Sequence, residues 1–157
     1  MASFPVEITK IDRILLAKLQ NDARVTLDEL AVAAGLSTSS AQRRLARLRE
    51  TKVIQREITV LNAKALGYGI TLLVELEIEH HRPELMPILR SWISAKDEIQ
   101  SAWHITGSSD LLLVIIVATI EAFDALMERL MTENRSVKKY TTSVALKTLK
   151  QGLTVPV

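Results

Sequence analysis

The spacing of apolar residues changes once along this chain, and that change limits the folds open to it. Up to about residue 50, apolar residues recur at helical intervals, as do Ile11, Leu15 and Leu19. From Ile70 to Ile78 every second residue is apolar, which is the period of a strand with one face toward water. A helical segment followed by a mixed segment predicts an α+β chain of two domains.

Three short helices are predicted in the first third of the chain. The first runs from about residue 10 to 22, the second lies between Thr26 and Gly35, and the third runs from Ser37 to about Glu50. Gly35 is expected in the left-handed conformation that ends the second helix. The side chains predicted to cap the three N-termini are Thr9 (with Asp12), Thr26 (with Glu29) and Ser37. This spacing predicts a helix-turn-helix, in which the last helix enters the major groove of DNA.

The third helix carries a local excess of positive charge. The whole chain has a net charge of +2, but residues 37–56 hold six Lys or Arg against one acid, which is +5. Charge confined to one helix is typical of a nucleic-acid contact. A solvated amphipathic helix is the alternative, and the helix-turn-helix spacing and the scarcity of acids within 37–56 argue against it.

A helical wheel divides the side chains of the third helix into a buried face and an outward face. Ala41, Leu45 and Leu48 form the buried face. The residues that point broadly outward are Ser39, Gln42, Arg43, Ala46 and Arg47, and Gln and Arg side chains there can pair with base edges. Flanking cations are expected to contact phosphates. The predicted DNA-binding residues are Ser37, Ser39, Ser40, Gln42, Arg43, Arg44, Arg47, Arg49, Lys52 and Arg56.

The second part of the chain alternates strands and helices in the order βαββαβ, the ferredoxin-like pattern. After the strand at 70–78 we predict a helix from Pro83 or Glu84 to Lys96 with Leu85, Ile88, Leu89 and Trp92 inward, and then a strand at 99–105. A strand from Leu111 to Ala118 buried on both faces, a helix capped by Thr119 and a strand from Val137 to about Leu149 complete the pattern.

The predicted organisation is a helix-turn-helix domain over 1–61, a linker over 62–69 and a ferredoxin-like domain over 70–157. Residues 55–61 are predicted to form a short strand or wing beside the helices. Helices on one face of the sheet leave the other face open, and because that face is partly apolar we expect self-association.

The run KIDRILLAKLQNDARVTLDELAVAAGLSTSSAQRRLARLRETKVI, residues 10–54, resembles the N-terminal domain of the Lrp/AsnC (feast/famine) transcriptional regulators. Shared features are the Ile-Asp-x-x-Ile-Leu helix, the Leu-Gln-x-Asp-x-Arg turn and Leu-Ser before an Arg-rich helix. Residues 106–113, TGSSDLLL, are similar to the family's Gly-x-x-Asp-Tyr-Leu-Leu turn. The resemblance spans about residues 8 to 150. It implies a homodimer or a higher homo-oligomer, such as a tetramer or octamer, that binds double-stranded DNA.

The resemblance also implies that the second domain senses an amino acid or a related metabolite between dimers. Backbone N–H groups around Gly107 can hold a carboxylate, while Asp110 or nearby hydroxyls can take the ammonium group. The residues implied are Thr106, Gly107, Ser108, Ser109, Asp110, Tyr140 and Thr142. The chain departs from the family pattern at Lys52 (usually Gly), Thr38 and Ser40 (often Pro), Leu111 (usually Tyr) and Tyr140 (often Thr). A lysine at position 52 is expected to cost about 1 kcal/mol if the turn there is left-handed.

Other classes of protein are less well supported by the sequence. The chain has no cysteine, no apolar run long enough to cross a membrane and no secretory signal at its start, so we expect a cytoplasmic protein. It also lacks a phosphate loop and a nucleophile elbow, so neither an enzyme nor a cofactor is expected. Zinc binding by Glu79, His80 and His81, RNA binding by the sheet, and a sensor with a vestigial DNA-binding half remain the alternatives. His104 is expected to be an ordinary sheet or interface residue.

Overall fold

The computed structural model describes residues 7–79 and 82–157, which divide into two compact units. The first unit is Met1–Val60 together with Lys150–Val157, and the second unit is Leu61–Leu149. The sequence prediction had placed residues 150–157 in the second domain. They group with the first unit instead, where the Gln20 side chain and the Val155 backbone exchange two hydrogen bonds, each of 3.1 Å.

The first unit contains the three predicted helices. They are α1 (Lys10–Leu19), α2 (Leu27–Ala34) and α3 (Thr38–Glu50). All three predicted caps are confirmed, and those of α1 and α2 are reciprocal capping boxes. Helix α1 ends earlier than the predicted residue 22. Beyond it, the Asn21 side chain donates to the Ala17 carbonyl at 2.7 Å and Asp22 accepts from Arg24 N at 2.8 Å, so turn hydrogen bonds replace helical ones.

A left-handed glycine joins α2 to α3, as predicted. Gly35 has φ 64°, a conformation in which a side chain would be strained. The turn brings the predicted apolar face of α3 onto a small core. The buried core residues are Leu15, Leu19, Leu30, Ala31, Ala41, Leu45 and Leu48. The first unit is therefore a helix-turn-helix, as the spacing of its apolar residues predicted.

The predicted strand or wing at residues 55–61 is wrong. These residues have no regular secondary structure and lie exposed. Within its described residues the first unit has no strand with which they could pair, and a lone strand leaves its backbone groups unsatisfied. The segment is tied to α3 through one side-chain contact, between Glu57 and Arg49.

The second unit is an antiparallel four-stranded sheet with two helices. Its strands are β1 (Ile70–Ile78), β2 (Ile99–His104), β3 (Leu111–Val117) and β4 (Val137–Val144), and its helices are α4 (Met86–Ser94) and α5 (Ile120–Glu133). The strand order β2-β3-β1-β4 confirms the predicted ferredoxin-like topology. No helix within residues 7–79 and 82–157 is long and apolar enough to cross a membrane.

Three details of the second unit differ from the predictions. A 3₁₀ turn at Pro83–Leu85 precedes α4, and Ile88, predicted to face inward, is 55% exposed. Strand β4 ends at Val144 and not near Leu149. Strand β3 is buried on one face only.

One face of the sheet carries the core of the second unit and the other face is open. Val74, Leu76, Leu113 and Ile115 point toward the helices and are fully buried, together with Leu89 of α4. The opposite face, which we call the outer face, carries the apolar side chains of Leu73, Trp103, Leu112, Val114 and Ile116. These residues are half-buried or exposed, so the outer face is an apolar surface without a cover in the single chain.

Lys52 lies in a strained turn after α3. It has φ 59°, a left-handed conformation that costs an L-residue about 1–2 kcal/mol. The conformation is imposed because Ile54 N donates to the Leu48 carbonyl at 3.0 Å, which reverses the chain at this point. Replacing Lys52 with Gly should raise the free energy of unfolding by about 0.5–1 kcal/mol, as measured by urea denaturation. Lys52→Ala is the control, since it removes the charge and keeps the strain, and an equal gain in both variants would assign the effect to charge.

Candidate nucleic-acid interface

Helix α3 exposes a face of small and polar side chains. Its apolar residues are buried against α1 and α2, and this fixes which side faces solvent. Ser39, Gln42, Arg43 and Ala46 are exposed. Arg43 forms no hydrogen bond or ion pair with any residue of 7–79 or 82–157. Small residues beside Gln42 and Arg43 permit a close approach to a groove in which amide and guanidinium groups can meet base edges.

The other arginines near the middle of α3 are already paired. Asp12 of α1 has a side chain with 0% exposure, and its two oxygens accept from Arg44 Nη1 at 3.0 Å and from Arg47 Nη2 at 2.8 Å. Arg47 also donates to the Glu7 carbonyl at 3.3 Å. Thr9 donates to the same carboxylate through its N–H at 3.0 Å and its hydroxyl at 2.8 Å. One buried carboxylate therefore completes the cap of α1 and joins α1 to α3.

The pKa of Asp12 lies below its ordinary value. Burial acts to raise this pKa, but the hydrogen bonds from Thr9 and Arg44 and the charge of Arg47 outweigh burial. The carboxylate is therefore ionised at neutral pH, and the cluster holds one negative charge between two positive ones.

The end of α3 carries one further ion pair. Arg49 donates to Glu57 Oε1 through Nη2 at 2.7 Å and Nε at 3.3 Å, and both side chains are about half-exposed. Exposed pairs of this kind contribute little to stability. Lys52 and Arg56 are exposed and have no ion pair among the described residues.

The acids that pair with α3 lie outside residues 37–56, so a charge count over that range does not reveal them. The scarcity of acids there indicates unpaired arginines. Three of them are paired, two with Asp12 and one with Glu57. The assignment of Arg47 to the outward face is therefore wrong, because its side chain turns toward α1. The capping signal Thr9-x-x-Asp12 located Asp12 at the start of α1 but did not reveal its second role.

The serines at the start of α3 are close to one another. Ser37 Oγ accepts from Ser40 N and donates to Ser40 Oγ at 3.0 Å, and it lies 3.2 Å from Ser39 Oγ. Thr38 donates to Asp28 Oδ1 at 2.8 Å and so ties α3 to α2. Hydroxyl groups at a helix N-terminus suit contact with a phosphate.

The predicted effector residues divide into two groups in the second unit. In the 106–110 turn, Thr106, Gly107 and Ser108 are exposed, and Gly107 has φ 132°. The backbone N–H groups of residues 106–109 donate to none of the described residues, which leaves them available to an anion.

The other two residues of the turn hold it against the sheet. Asp110 Oδ2 accepts from Ile78 N at 2.8 Å, and Asp110 N donates to the Leu76 carbonyl at 2.9 Å. Ser109 donates to Glu75 Oε2 at 2.8 Å, a contact that the sequence analysis did not anticipate. Asp110 therefore acts first as a structural residue of the turn, and Glu75 adds a carboxylate beside it.

Tyr140 and Thr142 lie on the helix-facing side of β4, opposite Leu76 and Val74. Tyr140 lines an open groove against α5, whose wall includes Glu121, Asp124 and Glu128. The Thr142 Oγ1 atom is buried and has no hydrogen-bond partner in the described part of the chain. No turn residue lines this groove, because β1 separates β4 from β3. A single chain does not bring the two groups into one cavity.

No group of three His, Asp or Glu residues within the described ranges is arranged to hold a metal ion. His80 and His81, the residues of the zinc alternative, lie outside the described residues.

Two family models together match most of the chain. The AsnC-type helix-turn-helix domain matches residues 8–49, and the Lrp/AsnC ligand binding domain matches residues 71–155. These two segments correspond to the helix-turn-helix and to the ferredoxin-like sheet with the residues that follow it.

Individual proteins are similar over nearly the same extent. The HTH-type transcriptional regulator LrpA of Mycobacterium tuberculosis is 33% identical over 78% of this chain and 80% of its own length. The crystal structure of an AsnC family transcriptional regulator from Agrobacterium tumefaciens has a TM-score of 0.89 at 26% identity, covering 94% of this chain and 96% of that one. A feast or famine regulatory protein from M. tuberculosis complexed with L-methionine has a TM-score of 0.83 at 30% identity, covering 92% and 96%.

Asp12 should make the stability of the first unit depend on pH. Because its pKa is lower in the folded state, its contribution is complete above the unfolded pKa of about 3.9 and is lost as pH falls through the folded pKa. Asp12→Asn should lower the free energy of unfolding by about 1–3 kcal/mol at pH 7. The deficit should shrink as the pH falls below about 4 in urea titrations followed by circular dichroism. Glu50→Gln, at an exposed position of α3, is the control and should change stability by less than about 0.5 kcal/mol. A deficit independent of pH would show that charge is not the cause.

Proposed function

The chain belongs to the Lrp/AsnC family of transcriptional regulators, and we propose that it reads specific DNA sequences with α3 and responds to an amino acid or a related metabolite. The observation that carries the DNA-binding proposal is the exposed face of α3, where Arg43 is unpaired among the described residues beside Ser39, Gln42 and Ala46. We place this activity in the cytoplasm and expect no enzymatic reaction.

Base reading is assigned to the middle of the exposed face. Arg43 has the bidentate geometry that guanine O6 and N7 accept, and Gln42 has the geometry that pairs with adenine. Phosphate contacts are assigned to the serines at the α3 N-terminus and to the cations beyond its C-terminus. These residues are Ser37, Ser39, Ser40, Arg49, Lys52 and Arg56. Contacts to phosphate fix the register of the helix without carrying sequence information.

A second copy of the chain is the proposed cover of the outer face. Leu73, Leu112, Val114 and Ile116 are central on it, and the Glu77–Lys139 ion pair at 3.2 Å lies at its edge. An apolar centre with a polar rim is typical of a protein–protein interface. Two copies related by a two-fold axis present two α3 helices, which suits a palindromic DNA site. Further association of dimers would form a tetramer or an octamer.

The amino-acid effector is proposed to bind at the 106–110 turn of one dimer and near Tyr140 and Thr142 of another. The solved relative with L-methionine supports an amino-acid ligand. The free N–H groups of the turn suit the carboxylate of such a ligand, and Glu75 adds a negative charge for its ammonium group. The buried Thr142 hydroxyl without a partner is the second supporting feature, since buried polar atoms are ordinarily hydrogen-bonded.

Replacing Arg43 tests the DNA-reading proposal. A preferred duplex is first selected from a random library with the wild-type protein, and its affinity is compared with that of a scrambled duplex. Arg43→Ala should weaken binding to the selected duplex by about 1–3 kcal/mol per protomer and reduce base preference at one position of each half-site. Arg90→Ala on α4, which removes the same charge from the second unit, should leave both affinities unchanged. Equal behaviour of the two variants would refute α3 as the reader.

A thermal-shift screen against the twenty amino acids tests the effector proposal. A ligand at one hundred times its Kd adds about 2.7 kcal/mol to the native state, which corresponds to a rise in Tm of roughly 5–10 °C. Light scattering on any hit, against the dimer mass of twice 17.5 kDa, should report a change of assembly. Thr142→Val should have the wild-type Tm without ligand but lose most of the rise in Tm that the ligand causes. The control Thr148→Val, at an exposed position, should keep the wild-type Tm and the full rise. A flat panel would refute an amino-acid effector.

A further inference from the structure

We propose that Asp12 keeps Arg44 and Arg47 from binding DNA phosphates and so limits the affinity of α3 for DNA of any sequence. This inference rests on the proposed DNA-binding function of α3. It makes Asp12 a positioning residue, since its carboxylate is buried and acts through the two arginines.

The geometry of the cluster favours retention of both arginines. The carboxylate accepts four hydrogen bonds at 2.8–3.0 Å, two from Thr9 and one each from Arg44 and Arg47. Both oxygens are used, so each guanidinium has its own acceptor. If both arginines moved away to bind phosphates, the fully buried carboxylate of Asp12 would keep only the hydrogen bonds from Thr9. Removing the partner of a buried charge is strongly unfavourable, and a loosely placed phosphate in water offers little in return.

The cluster also determines which cations remain free. The side chains of Arg44 and Arg47 are only 30% and 40% exposed to solvent. Arg43, Lys52 and Arg56 are exposed and have no ion pair among the described residues. Each flexible cation that reaches a phosphate adds affinity for every sequence alike. With two cations withheld, the interaction energy of α3 comes to a larger extent from Gln42 and Arg43. The sequence-independent part of the affinity therefore depends on an acid that does not touch DNA.

The salt dependence of binding measures the number of phosphate contacts directly. For a random-sequence duplex of fixed length, the slope of log K against log salt changes by about 0.9 for each phosphate neutralised. Asp12→Asn keeps the shape of the side chain and removes its charge. It should steepen the slope by about 0.9 to 1.8 per protomer and strengthen binding to the random duplex at low salt. Because phosphate contacts add affinity for every sequence alike, binding to the selected duplex should strengthen by a similar factor and the ratio of the two affinities should stay near its wild-type value.

A second variant keeps the test valid if Asp12→Asn folds poorly. Asp12→Asn combined with Arg44→Gln and Arg47→Gln removes the whole charged cluster. If Asp12 withholds both arginines, this triple variant should have the wild-type salt slope on the random duplex. If the arginines contact phosphate in the wild type, its slope should be shallower by about 1.8 per protomer, which would overturn the proposal.

Two further outcomes are distinguishable. An unchanged slope in a folded Asp12→Asn protein would also overturn the proposal, because the released arginines would then make no contact. Failure of the proposed function has a different signature. In that case the wild-type protein would fail to select a duplex, and Arg43→Ala would behave like Arg90→Ala.

Discussion

The buried carboxylate of Asp12 is the interaction on which the helix-turn-helix most depends. It caps α1 through Thr9 and receives the arginines of α3, so a single side chain fixes the start of one helix and the rotation of another. A carboxylate with 0% exposure is stable only with several donors around it, and these donors come from two helices. Positive charge on α3 is thus partly structural. Arg43 of α3, and Lys52 and Arg56 beyond its end, have no ion pair within residues 7–79 and 82–157.

The second unit is governed by a different constraint, the unequal burial of the two faces of its sheet. The helices cover Val74, Leu76 and Leu113, whereas Leu73, Val114 and Ile116 on the outer face stay exposed or half-buried in the described part of the chain. Apolar surface of this kind favours association. Association would also bring together the two groups of residues of the proposed effector site, which lie apart in one chain. The 106–110 turn and Tyr140 lie at the same end of the sheet but are separated by β1, so a site that uses both requires another copy.

These two features link DNA binding to oligomerisation in physical terms. A single α3 helix contacts few base pairs, so a dimer with two α3 helices would be more specific. The outer face is the surface through which such a two-fold dimer would form. The proposed withholding of Arg44 and Arg47 from phosphates would lower the affinity of α3 for all sequences alike. In the proposed dimer, discrimination between sequences would depend on Arg43, on Gln42 and on the spacing of the two copies.

The sequence by itself determined the elements whose causes are local. The caps at Thr9, Thr26 and Ser37, the left-handed Gly35 and the order βαββαβ depend on interactions within a few residues or on apolar periodicity, and all are present. It failed at 55–61, where a strand pattern had no partner strand, and at Ile88, where a 3₁₀ turn changed the face of the helix. Only the tertiary structure decided the roles of the arginines. Asp12 lies 32 and 35 residues from Arg44 and Arg47, and no local pattern encodes a contact that depends on how two helices pack.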